Sequence, residues 1–192
     1  MRTIIDTSSL VRIAQSYNPF DKTKTLETFL NKEIQNGALI ILDKVANETK
    51  NVSQGIAYRT FKCIQKNGSI RSTKELIPDK RFFNMLDNNF VDRATKRLRL
   101  NDDDALYQNE RDHYLKSADC AMIVYAMQQK NMLEPIQILT EESFSQNDGK
   151  LFKKIPAICQ ALDIPTINTV EYFEQHQEDL LIEVRATKPN VI

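Results

Sequence analysis

Glycine and proline are scarce in this chain, four and six among 192 residues, which excludes collagen-like and low-complexity sequences. Cysteine is scarcer. Cys63, Cys120 and Cys159 are an odd number with no C-x-x-C spacing, so neither a disulfide framework nor a zinc knuckle is expected. The only histidines, His113 and His176, have no partner at metal-ligand spacing and read as structural. No apolar run approaches the roughly 18–20 residues of a membrane span, so no membrane association is expected. The opening Met1-Arg2-Thr3-Ile4-Ile5-Asp6 carries a cation and an acid where a signal peptide has its apolar core. A cytoplasmic, reduced protein is the expectation. What the chain does have is 41% hydrophobic residues, too many for a disordered segment. At about 100–150 residues per domain, residues 1–192 read as one domain carrying an insertion.

The net charge is zero, with 26 Lys and Arg against 26 Asp and Glu, but the charge is unevenly spread. Residues 1–58 hold 7 basic and 6 acidic side chains, residues 59–99 hold 11 and 4, and residues 100–192 hold 8 and 16. A net +7 middle beside a net −8 end suits a surface that attracts phosphate backbones. Lys62, Lys66, Arg71, Lys74, Arg93, Lys96, Arg97 and Arg99 are the candidate nucleic-acid contacts. The same run would also serve as a solvated helical face.

Apolar periodicity predicts an α/β order. Thr3-Ile4-Ile5 reads as a strand running into the helix-capping types Thr7-Ser8-Ser9. Leu26, Phe29, Leu30 and Ile34 predict a helix stopped at Gly37. Ala38-Leu39-Ile40-Ile41-Leu42 is apolar on both faces, as in a central parallel strand. A helix through Val45 and Glu48 follows. The segment from about 55 to 112 reads as a helical, basic insertion. Ser117 caps a helix through Met122 and Ala126, Ile136–Leu139 is a strand, Ile155-Pro156 opens a helix, and Ile164–Ile167 is an edge strand. Val170, Tyr172 and Phe173 begin a last helix, and a frayed tail is expected from about residue 183. The predicted fold is a three-layer α/β/α sandwich around a central, mostly parallel sheet.

Chemistry in such a sheet sits at the carboxyl ends of its strands. Asp6 follows the first strand, Glu48 lies on the helix after the second, Asp119 is in the first turn of the Ser117 helix, and Glu141 and Glu142 follow the strand ending Leu139-Thr140. Converging carboxylates repel and raise one another's pKa, so a fold has little structural reason to gather them. A hard divalent cation, Mg²⁺ or Mn²⁺, supplies one, because it takes oxygen ligands and keeps positions open for water and phosphate.

These residues resemble the motifs of PIN-domain ribonucleases. Ile4-Ile5-Asp6-Thr7-Ser8-Ser9-Leu10 resembles that family's opening motif. Val45-Ala46-Asn47-Glu48 is similar to its second acid. Ala118-Asp119-Cys120-Ala121-Met122 is similar to its third motif, and Ile138-Leu139-Thr140-Glu141-Glu142 to its strand-four ending, Thr-x-acid. The closing Lys154–Leu162 and Ile164–Asn168 resemble a bacterial subgroup of unassigned PIN-like proteins. Two features depart from the pattern. The gap of 71 positions from Glu48 to Asp119 is longer than in a minimal PIN domain, and a Glu pair stands where Asp is usual.

The resemblance implies a Mg²⁺- or Mn²⁺-dependent endoribonuclease that leaves a 5′-phosphate and a 3′-hydroxyl. Asp6, Glu48, Asp119 and Glu142 would hold the metal, with Glu141 as the substitute for Glu142. Ser8 and Thr140 would orient carboxylates or water. By the same analogy the protein would be the toxin of a toxin–antitoxin pair, with a small antitoxin partner and a homodimer. Each residue also has a plainer role. Asp6, Ser8 and Thr140 suit caps, Glu48 a solvated helix position, and Asp119 a first-turn site favoured by the helix dipole. The alternative functions are a non-catalytic PIN-like interaction module and a nuclease processing structured DNA or RNA. A haloacid-dehalogenase-type phosphatase is set aside, because it needs a second Asp where this chain has Ser8.

Overall fold

The computed structural model describes residues 1–130, 134–144 and 149–180, apart from the Asn67 side chain. In chain order the strands and α-helices are β1 (Arg2–Ile5), α1 (Thr7–Arg12), α2 (Thr25–Gln35), β2 (Leu39–Leu42), α3 (Asp43–Glu48), α4 (Ile56–Thr60), β3 (Ile70–Arg71), α5 (Lys80–Met85), α6 (Arg93–Leu100), α7 (Asp104–Leu115), α8 (Ala118–Gln129), β4 (Ile136–Leu139), α9 (Ile155–Leu162), β5 (Thr166–Ile167) and α10 (Thr169–Gln175). The tail expected to fray from about 183 lies outside the described residues.

The five strands form one sheet in the order β3-β2-β1-β4-β5, and every pairing is parallel. Helices flank it in the three-layer α/β/α arrangement that the pattern predicts. Every residue of β2 and β4 is buried, as is β1 from Thr3 to Ile5. A parallel strand covered on both faces has no solvated side, which is why β2 is continuously apolar; the buried Gln137 of β4 is satisfied by donating to Thr3 Oγ1 and Gln175 Oε1. α2 ends where Gly37 adopts φ +73°, a left-handed conformation that costs glycine little; Gly37 N donates to Ile34 O and Ala38 N to Glu33 O. Ser117 caps α8 by accepting from Cys120 N, and Asp103 caps α7 by accepting from Ala105 N and Leu106 N.

The segment from 55 to 112 is largely helical, and it also completes the sheet. β3 pairs with β2 at Ile41–Ile70 and Leu42–Arg71, while Phe61, Phe82, Phe90 and Tyr107 are buried in the core. The segment is therefore part of the fold's interior on one side and its basic surface on the other.

The strand order positions the site. From β1 the chain moves outward through β2 and β3, then returns to the other flank of β1 for β4 and β5. The connections diverge between β1 and β4, leaving a crevice at their carboxyl ends. Register aligns Ile5 with Leu139, and Asp6 N donates to Leu139 O at 2.9 Å, so Asp6 and Thr140 leave the sheet side by side.

Candidate active site

Four of the acids singled out in the sequence reach this crevice from different elements. Asp6 is 5% exposed, and its Oδ2 accepts from Ser8 Oγ at 2.5 Å and Thr140 Oγ1 at 3.0 Å. Ser8 and Thr140 thus hold one oxygen of Asp6 from both sides. Each also fixes the turn after β4: Glu141 N donates to Ser8 Oγ, and Glu142 N donates to Thr140 Oγ1, both at 3.1 Å. Burial raises the Asp6 pKa above 3.8; the bonds from Ser8, Thr140 and the Thr7 backbone oppose that rise, and Glu142 adds to it.

Glu48 sits at the last residue of α3, exposed, with its Oε2 accepting from Thr7 Oγ1 at 2.7 Å. One turn back on the same face, Lys44 Nζ donates to Leu115 O and Ser117 O, each at 3.5 Å. That contact ties α3 to the start of α8 and brings Glu48 toward Asp119. Asp119 lies in the first turn of α8. Burial pushes its carboxyl from 3.8 up to about 7, with Asp6, then Glu142, then Glu48 adding repulsion and Lys150 opposing. All three other acids therefore act on one carboxylate. Behind it, the Tyr114 hydroxyl is buried with no hydrogen-bond partner among the described residues, and its ring stacks on Phe152 at 4.4 Å.

The Glu pair divides its work. Glu141 Oε1 accepts from Thr169 N at 2.9 Å and Thr169 Oγ1 at 2.6 Å, so it anchors the start of α10. Glu142 stays with the cluster. Its Oε2 accepts from Ile155 N at 2.9 Å, and its Oε1 pairs with Lys150 Nζ at 2.9 Å.

Among the described residues, no three Asp, Glu, His or Cys side chains stand close enough to share one ion. The hydrogen bonds explain this spacing. Thr7, Ser8, Thr140, Lys150 and the Ile155 amide each draw a carboxylate toward a donor of the protein. The acids are near enough for Asp6, Glu142 and Glu48 to repel Asp119. The donor set fits Mg²⁺ or Mn²⁺: it is all carboxylate oxygen, with hydroxyls beside it and no soft ligand. The cysteines are core thiols. Burial pushes Cys120 and Cys159 up to about 12, and Cys63 up to about 11. His176 packs against Phe29 and Tyr172, and His113 is exposed in the last turn of α7.

The candidate RNA contacts fall into two groups. Lys62, Lys66, Arg71 and Lys74 are exposed around β3, where Lys74 shares a cavity of about 510 Å³ with Lys50, Asn47 and Tyr58. Arg93, Lys96 and Arg97 line a hollow of about 340 Å³ with Tyr107, and Lys96 Nζ sits 4.2 Å from the Tyr107 ring centre. Arg99 Nη1 donates to Gly149 O at 3.3 Å, which leads directly to Lys150. Of the two groups, α6 is the one joined to the acid cluster.

A family model described as a domain of unknown function, DUF4411, matches residues 3–180. The chain belongs to that family. No curated protein and no solved structure matches it. The DUF4411 match takes in every acid of the cluster together with Thr7, Ser8, Thr140 and Lys150. Thr7 and Lys150 were not among the site residues read from the sequence. Thr7 carried a signal, a hydroxyl on the first turn beside Asp6. Lys150 carried none, because its place depends on how residues 149–153 pack against Val91.

Proposed function

We propose that this DUF4411 domain is a PIN-like, Mg²⁺- or Mn²⁺-dependent endoribonuclease. The observation that carries the reading is the convergence on Asp119 of Asp6, Glu142 and Glu48, at the one point of the sheet where the strand order reverses. Burying one acid against three others costs stability, and a divalent cation is the partner that offsets the cost. Asp6, Glu48, Asp119 and Glu142 would hold it. When bound, it would neutralise charge on a phosphodiester and lower the pKa of a water.

The chain's own residues supply the rest. Ser8 and Thr140 fix the Asp6 carboxylate by donating to Oδ2. Thr7 orients Glu48. Asp119, with its carboxyl near 7, is poised to take or return a proton near neutral pH when no cation is present. Arg93, Arg97 and Arg99 on α6 suit phosphate contacts that guide a single strand and carry no base readout. Among the described residues no helix is long and apolar enough to cross a membrane, and a cytoplasmic location belongs to the same proposal. The toxin role, an antitoxin partner and a homodimer follow from the PIN resemblance alone.

The test is cleavage of end-labelled single-stranded RNA with and without Mn²⁺, using wild type, Asp6→Asn and Asp119→Asn. The expected result is metal-dependent cleavage leaving 5′-phosphate ends, lost in both variants while each stays folded. Cleavage that persists in chelator, or that survives Asp6→Asn, would refute the reading. Mn²⁺ binding without cleavage of RNA points instead to a non-catalytic module.

A further inference from the structure

We propose that Lys150 is a tethered counter-ion of the acid cluster, whose ammonium competes with a divalent cation for Glu142. The inference rests on the metal-site reading above. Lys150 Nζ lies 2.9 Å from Glu142 Oε1; the lysine side chain is 56% exposed and the glutamate 18%. The ammonium thus reaches in from solvent to a carboxylate that is mostly enclosed. Glu142 cannot turn away easily, because its other oxygen is held by Ile155 N at the start of α9.

The backbone around Lys150 is clamped. Asp92 N donates to Leu151 O at 2.8 Å, Lys153 N donates to Phe90 O at 2.9 Å, and Val91 and Phe152 form an antiparallel bridge. Arg99 holds Gly149 O on the other side. A fixed backbone bearing a long side chain gives the ammonium a short radius of action centred on the cluster. Its charge reaches beyond its partner, since it also opposes the repulsion acting on Asp119.

In the metal-free protein this one positive charge offsets part of the mutual repulsion among four carboxylates. A divalent cation that uses Glu142 Oε1 must displace it. Lys150 therefore lowers metal affinity, and metal entry displaces the ammonium from Glu142.

Calorimetric titration with Mn²⁺ alone, on the full chain, tests this. Lys150→Met is expected to tighten Mn²⁺ binding roughly fivefold at low ionic strength, the scale of a partly exposed ion pair, and the gain should shrink as salt is raised. Lys150→Arg keeps the charge and should bind as wild type does. Lys150→Gln, measured in parallel, guards against a packing effect peculiar to Met and should tighten similarly. Unchanged or weaker binding in both neutral variants overturns the proposal; if wild-type binding is then still abolished by Asp6→Asn, the metal-site reading stands. No Mn²⁺ binding by wild type or by either neutral variant overturns both.

Discussion

Replacing Asp119 by Asn should stabilise the metal-free protein, and only above a definable pH. The Asp119 carboxyl titrates near 7 in the fold and near 3.8 when unfolded. Below pH 3.8 it is protonated in both states and contributes no difference. Between 3.8 and 7 the unfolded chain ionises first while the fold keeps the proton, so stability falls as pH rises and levels off above about 7. Three pK units at 1.36 kcal/mol each give about 4 kcal/mol lost by pH 8, a large share of a typical domain's total. Asn cannot ionise and escapes that loss. Urea unfolding at pH 4.5 and pH 8 would measure it, followed by far-UV circular dichroism because the chain has no Trp. Asp119→Asn should exceed wild type by only about 1 kcal/mol at the lower pH, where the unfolded chain has begun to ionise, and by about 4 kcal/mol at the higher. Mn²⁺ at about 100 times its Kd should then close most of that gap, since it adds about 2.7 kcal/mol to a protein that binds it. A variant no more stable than wild type at pH 8, or one with the same advantage at both pH values, would show that the acids do not press on Asp119 as described.

Three further outcomes follow from the site's hydrogen bonds and charges. Thr7→Val removes the donor to Glu48 while keeping volume; stability should change by about 1 kcal/mol or less and Mn²⁺ affinity fall roughly tenfold by calorimetry. Glu141→Ala should cost about 1–2 kcal/mol in urea unfolding by releasing Thr169, with Mn²⁺ affinity unchanged, whereas Glu142→Gln should abolish Mn²⁺ binding. Neutralising Arg93 and Arg97 together should weaken single-stranded RNA binding and flatten its salt dependence by roughly 0.7 for each phosphate no longer neutralised, leaving Mn²⁺ affinity intact; an unchanged salt slope in anisotropy titrations would reduce the α6 charge to a solvated face.

How much of this was legible in the sequence depended on whether a residue's place is set locally. β2 was readable because a strand buried on both faces leaves an uninterrupted run, Leu39–Leu42, and β1 and β4 because each keeps a short β-branched or aliphatic stretch despite Thr3 and Gln137. β3 was not, since Ile70–Arg71 is two residues in polar surroundings and becomes a strand only through its pairing with β2. The acids were readable because each directly follows a strand or begins or ends a helix next to one, and an all-parallel sheet sends those junctions to one rim. The partition of Glu141 from Glu142 was only half readable: the Thr-x-acid spacing favoured Glu142, but Thr169, which draws Glu141 away, stands 28 positions further on. The basic run from 59 to 99 showed its charge but not its division between the β3 edge and α6, which follows from how Phe61, Phe82 and Phe90 pack beneath it.

The two outermost strands, β3 and β5, are each two residues long, and β5 begins directly after Pro165. An unpaired strand edge is a template for recruiting another chain, and its danger grows with length. Here either margin offers a newcomer only a bond or two before the backbone turns into a loop or helix, and Arg71 stands exposed on one of them. A sheet whose central strands are largely apolar is thus shielded from edge-to-edge aggregation by brevity at its borders, which should let the folded domain tolerate high concentration without fibrillar association.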